Sequence, residues 1–214
     1  MRCKCTPSPV ISQSNHVVEF ISMSKEAPQY LILHGCPPTE AMVAPKENRW
    51  MDWLAGQLNE RGLSAVAIDL PKPWEPQYLD WKKEFEKYPV DTESVLIGHS
   101  CGAAFLVRWL LEKGTVVKKL ILVAPAKVPE TPDDTRQDLY HFDLPDEVPH
   151  IAKEVVLFTS NDFPHHLQSL ALYIKALNPR VIKLEGKGHF LFFQMQTNEF
   201  PELLEEVLSD SSNP

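Results

Sequence analysis

The stretch Ser94-Val95-Leu96-Ile97-Gly98-His99-Ser100-Cys101-Gly102-Ala103 decides the fold. Ser94–Ile97 is a short apolar run of the kind that forms a buried strand, and Cys101–Lys113 is an apolar segment of helical length closed by Gly114. Between them stands Gly-x-Ser-x-Gly. A serine at such a turn is lifted out of the sheet edge on a strained backbone. Neighbouring chain comes so close that only residues without a Cβ fit two positions before and after it. The helix N-terminus then directs free N–H groups and the positive dipole end at any negative charge developing there. Glycine is scarce in this chain, 8 residues against 19 prolines, and it costs entropy wherever it is not needed. An accidental match has an expectation of about 0.02.

Outward from this turn the pattern alternates. Strands are expected at Tyr30–Leu33, Ala65–Leu70, Leu120–Val123, Val155–Phe158 and Val181–Leu184. Helices are expected at Glu47–Arg61 with Gly62 as its cap, at Pro76–Tyr88 with Leu79, Phe85 and neighbouring aromatics, at His165–Leu177 and at Phe200–Leu208. Strands alternating with helices of about three turns predict an α/β fold: a mostly parallel sheet of about six strands with helices on both faces. The segment between the fourth and fifth strands, 127–147, is short and polar and predicts a small or minimal cap. Residues 1–24, rich in Ser and Pro, are expected to be a disordered extension, with a single domain over 25–209 and a flexible tail at 210–214. Met23, just before the first strand, is an expected alternative start of the folded chain.

Composition narrows the function. The 214 residues are 43% hydrophobic and 23% charged, ordinary globular usage. A net charge of −8 without a basic stripe argues against nucleic acid. No apolar run approaches the ~20 residues that span a bilayer, so no membrane partner is expected. Cys3, Cys5, Cys36 and Cys101 form neither a disulfide framework nor a zinc pattern. A reducing, cytoplasmic location is expected, with no metal and no cofactor.

The Ile-Gly-His-Ser-Cys-Gly-Ala elbow, the His34-Gly35 turn after the first strand, Asp162 in Thr-Ser-Asn-Asp-Phe-Pro and the Gly186-Lys187-Gly188-His189-Phe190 segment followed by Thr-Asn-Glu-Phe-Pro-Glu-Leu carry a resemblance. The chain resembles the α/β-hydrolase superfamily and, within it, the small serine hydrolases that include retinoblastoma-binding protein 9 and YdeN-like proteins. The likeness runs from about Gln29 to Leu208. The chain departs in Leu191–Gln196, which looks expanded, and in its His-Gly-Cys-Pro turn.

A serine hydroxyl needs a base, and the superfamily supplies an acid and then a histidine after it. His150, His165, His166 and His189 all follow the elbow. The resemblance selects His189 as base and Asp162 as the acid that orients it. Asp69, Asp133, Asp143 and Asp146 are competing acids. The resemblance also implies an oxyanion hole from the backbone N–H groups of Cys101 and Cys36, since Pro37 has none. Gly98 and Gly102 are the elbow glycines, and both thiols are expected to be passive. The implied activity is an esterase-like serine hydrolase that forms an acyl-enzyme on a small ester, thioester or amide. A dehalogenase or epoxide hydrolase would need a carboxylate at the elbow. A binding protein that keeps the fold without catalysis is the alternative from another class. Phe190, Phe192 and Phe193 fit either an acyl pocket or an anchor for the last helix, with core packing favoured.

Overall fold

The computed structural model describes residues 29–209. The expected extension, Met23 as a start, Cys3, Cys5 and the tail at 210–214 lie outside these residues. Six strands make one sheet: β1 (Tyr30–Leu33), β2 (Ala65–Ile68), β3 (Val95–His99), β4 (Val117–Val123), β5 (Ala152–Thr159) and β6 (Arg180–Lys183). Their order is β2-β1-β3-β4-β5-β6 and every pair is parallel. The helices are α1 (Trp50–Glu60), α2 (Tyr78–Phe85), α3 (Cys101–Lys113), α4 (Gln137–Tyr140), α5 (Pro164–Leu177), α6 (Phe192–Met195) and α7 (Pro201–Leu208). The expected strands and long helices are all present, with ends displaced by a few residues. The fourth and fifth strands extend further at their N-termini than their apolar runs suggest. Alternation along the strands splits the core in two. Leu31, Leu33, Leu96, Leu120, Leu122 and Leu157 meet α2, α3 and Tyr173 of α5 on one face. Tyr30, Ile32, Val95, Ile97, Val123 and Phe158 meet α1 and α7 on the other.

Local signals explain the helix ends. Gly62, at φ 79°, closes α1: its own N–H reaches the Asn59 carbonyl at 3.0 Å and the Leu63 N–H that of Leu58 at 3.1 Å. Gly114, at φ 66°, closes α3 in the same left-handed conformation. In α2 the inward stripe is Tyr78, Trp81 and Phe85, three rings at i, i+3 and i+7. Leu79 is turned about 100° away from Tyr78 and is 74% exposed.

The chain runs from β1 to β2, then crosses back to place β3 on the other side of β1. This reversal opens a crevice at the C-terminal ends of β1 and β3, the position where open α/β sheets bind ligands. The segment between β4 and β5 is a small cap with one short helix, α4. Lys127 Nζ donates to the Tyr140 and Phe142 carbonyls at 2.6 and 2.7 Å, and Tyr173 Oη donates to the Ala126 carbonyl at 3.0 Å. Among the described residues no helix is long and apolar enough to cross a membrane.

Two glycines make opposite predictions. Gly56 is an exposed residue of α1, and a Cβ there would meet nothing within 4 Å. Gly56→Ala should stabilise the fold by about 1 kcal/mol and raise Tm by about 2–4 °C. A Cβ on Gly102 would lie 2.5 Å from the His34 carbonyl oxygen. Gly102→Ala should therefore lower Tm, and thermal unfolding of the two variants beside the parent checks both signs.

Candidate active site

Ser100 stands at the junction of β3 and α3 with φ 51° and ψ −114°, a backbone that an L-residue adopts only under strain of about 1–3 kcal/mol. Hydrogen bonds hold it there: the Ser100 N–H donates to the Val123 carbonyl at 2.9 Å, and the Ser100 carbonyl accepts from Ala126 N–H at 3.1 Å. The flanking glycines act by closeness. A Cβ on Gly98 would lie 2.6 Å from the Ala103 nitrogen, and Gly35 would meet His99 Nδ1 at 2.9 Å and Ser100 Cβ at 3.0 Å. Cys101 is the first residue of α3, so its N–H has no acceptor within the helix. Cys36 lines the same pocket as Ser100, and burial, reinforced by contact with Cys101, raises its thiol well above the ordinary value. It is a neutral thiol.

The loops after β5 and β6 bring Asp162 and His189 together. Their side chains are 3% and 8% exposed, and His189 Nδ1 lies 2.6 Å from Asp162 Oδ2. A carboxylate can only accept, so Nδ1 carries the proton and Nε2 keeps its lone pair. Burial raises the Asp162 pKa, but hydrogen bonds from His166 and His189 outweigh it and hold the group far below the usual carboxylate range. Burial lowers His189, partly offset by the Asp162 hydrogen bond, and the neighbouring imidazoles lower it further. His189 and Ser100 line one pocket of about 280 Å³. Ser100 Oγ opens into that pocket without a hydrogen bond to His189 in this arrangement; such bonds are often long until substrate is present.

Several supporting residues were not legible in the sequence. His99, the residue before the serine, donates from Nε2 to the His189 carbonyl at 2.9 Å, and burial pushes its pKa down to about 3. Gln194 Oε1 accepts the His189 N–H at 2.7 Å, which gives the expanded 191–196 segment a local task. Ser160 Oγ accepts the Lys187 N–H at 3.0 Å and so ties the acid loop to the histidine loop. His34 donates from Nδ1 to the Gly35 carbonyl at 2.8 Å and accepts the Leu70 N–H at 3.0 Å, which fixes the turn bearing Cys36. Arg136 of the cap pairs with Asp134 at 2.7 Å and reaches the Cys36 carbonyl. A buried histidine or a paired arginine has no signature beyond its residue type.

Most competing candidates fall elsewhere, whereas His165 lines the same pocket with its ring centroid 4.0 Å from that of His166. His150 precedes β5, at the opposite end of the strand from Asp162. Asp69 is held by Lys46 and Arg49 at 2.6 and 3.0 Å, and Asp133, Asp143 and Asp146 are exposed on the cap. His166 does enter the site. Its Nδ1 lies 3.0 Å from Asp162 Oδ1, and its ring stacks on that of His189 with centroids 3.8 Å apart. Asp162, His166 and His189 have the atom types of a metal site, all within 4.8 Å. Their 2.6 and 3.0 Å contacts are accounted for as hydrogen bonds to the two carboxylate oxygens. Of the three phenylalanines, Phe190 belongs to the core, stacked on Phe200, whereas Phe192 and Phe193 are exposed in the pocket wall.

Fold and site together define an α/β hydrolase. The chain belongs to the serine hydrolase family, whose model matches residues 31–207. A stretch of 84 residues is 29% identical to "Putative hydrolase YdeN" of Bacillus subtilis, covering 38% of this chain and 41% of that protein's length. The solved structure of the Bacillus subtilis ydeN gene product superposes with a TM-score of 0.70 at 19% identity, over 86% of this chain and 98% of the other. A "putative yden-like hydrolase" from Pectobacterium atrosepticum gives 0.62 at 13% identity, over 86% and 90%. At such identities the two structures speak for the fold.

His166→Ala would remove a donor to Asp162 and the electrostatic influence by which His166 lowers the His189 pKa, and would admit water beside His189. All three effects favour protonated His189. Its imidazole should titrate at higher pH in the variant than in the parent by NMR; an unchanged or lower value would contradict the arrangement.

Proposed function

We propose that this chain is an esterase-type serine hydrolase acting through an acyl-enzyme on Ser100, with His189 as base and Asp162 as orienting acid. The 2.6 Å contact between His189 Nδ1 and Asp162 carries the reading, because it leaves Nε2 as an acceptor in the pocket that Ser100 faces. Ser100 Oγ attacks the carbonyl carbon of a small ester, thioester or amide, and its proton passes to His189 Nε2. The Cys36 and Cys101 N–H groups receive the oxyanion, aided by the N-terminus of α3. Collapse expels the leaving group, which takes the proton from His189. Water then attacks the acyl-enzyme with the same base, releases the acid and restores Ser100. Asp162 stays ionised and faces the imidazolium that forms at each step. No metal or cofactor enters this sequence, and a small-molecule substrate is the one partner it needs. The reading of a fold retained without catalysis would leave the buried Asp162–His189 pair and the strained Ser100 without a task.

Ser100→Ala should abolish labelling by a fluorophosphonate probe and nearly all hydrolysis of a nitrophenyl ester while circular dichroism stays that of the parent. Unchanged turnover would sink the mechanism.

Asp162→Asn keeps the side-chain size but can present an amide N–H to His189 and favour the wrong tautomer. Turnover should fall on the order of 10⁴-fold, about 5–6 kcal/mol of transition-state stabilisation. Asp143→Asn and Asp146→Asn, on the exposed cap, should cost less than about tenfold. An essential cap aspartate beside a tolerant Asp162 would reassign the acid.

A further inference from the structure

The exposed phenylalanines among the described residues are Phe163, Phe192 and Phe193, at 51%, 40% and 64%, and all three stand in the wall of the pocket that holds Ser100. Met42 and Val43, also exposed, join them from the loop after β1. Three separate chain segments therefore bring large apolar side chains to one mouth. Local preference does not account for this. Phe163 occupies the N-cap of α5, where Ser, Thr, Asp or Asn would satisfy an orphan N–H. Phe193 is exposed in α6, whose residues are not buried. A departure from local preference together with exposed aromatic surface marks a site that binds something apolar.

The charges of the same wall are already paired. Arg49 faces Asp52 at 2.7 Å and Asp69 at 3.0 Å, and Arg136 faces Asp134 at 2.7 Å and Glu130 at 3.5 Å. A substrate carboxylate would have to compete with these carboxylates for either guanidinium, and an ammonium would have to compete with Arg136 for Glu130. The pocket volume of about 280 Å³ is at the small end of ligand sites, which span about 300–1,000 Å³. From these observations, and resting on the esterase reading above, we infer that the collar of Met42, Val43, Phe163, Phe192 and Phe193 is an acyl-binding site, and that the substrates are esters of uncharged, medium-length aliphatic acids.

Full burial of a methylene corresponds to about fourfold in an equilibrium constant, and the collar is open on one side, so about twofold per methylene is expected. With nitrophenyl esters kept below micelle-forming concentration, kcat/KM should rise on the order of 50-fold from acetyl to octanoyl. The succinyl ester, with its free carboxylate, should be slower than the butanoyl ester. Phe193→Ser combined with Phe163→Ser should reduce the octanoyl-to-acetyl ratio at least about fivefold. Leu79→Ser, an exposed leucine of α2 outside the pocket wall, serves as control and should keep the parent ratio. A chain that hydrolyses none of the esters and resists a fluorophosphonate probe overturns the esterase reading, and this inference with it. A labelled, active enzyme with a flat length profile, a preference for succinyl, or an unaltered ratio in the double variant overturns the collar alone.

Discussion

The approach of β1 to the turn after β3 governs the rest of the structure. An added Cβ at Gly102 would sit 2.5 Å from the His34 carbonyl, and one at Gly98 would strike the backbone of Ala103. Such proximity lets α3 begin directly beneath the loop that carries Cys36. Ser100 is thereby forced into a positive φ and its side chain directed into the crevice. The cost of that strained residue is met by two well-packed sheet faces and by backbone bonds to Val123 and Ala126. Without the glycines these loops could not share one pocket.

The second constraint is polar. The loop bearing His189 is anchored in the core by Phe190, and hydrogen bonds from three directions hold the residues around it. His99 donates to its carbonyl, Gln194 accepts its N–H, and Ser160 and Asn161 accept from the residues before it. Asp162 in turn has each carboxylate oxygen occupied by a histidine, with Phe163 N–H donating to Oδ1 at 2.7 Å. A buried carboxylate with this many donors remains an anion, and an anion beside Nδ1 sets the tautomer of the ring. The network fixes protonation states as well as positions.

Family membership and fold agree with this chemistry, and the proposed roles of Ser100, Asp162 and His189 follow the order in which the strands deliver them. The surroundings of the site are open and apolar. A short cap fastened through Lys127, Arg136 and Tyr173 leaves the mouth open, and the aromatic side chains around it are held out toward solvent. The same rings would have been placed inward had they been needed for the core, as Phe190 is.

The sequence by itself determined the elements and the elbow. Periodicity is a local property, so strands and helices could be read from it, and Gly-x-Ser-x-Gly at a strand–helix junction has a steric cause confined to five residues. Asp162 and His189 were legible through their places after the fifth and sixth strands together with a family likeness, since one aspartate or histidine carries no spacing of its own. Tertiary structure decided what depends on distant chain. It turned Leu79 outward because three aromatic rings claimed the inner face of α2. It placed His166 rather than a cap residue on the second oxygen of Asp162, and made His99, Gln194 and His34 supports of the site. It also separated Phe190 from Phe192 and Phe193, neighbours in sequence whose surroundings differ. Contacts of this kind join residues far apart in the chain: 90 positions separate His99 from His189, and 100 separate Arg136 from Cys36. They come into being only when the sheet has assembled and brought its loops to one edge.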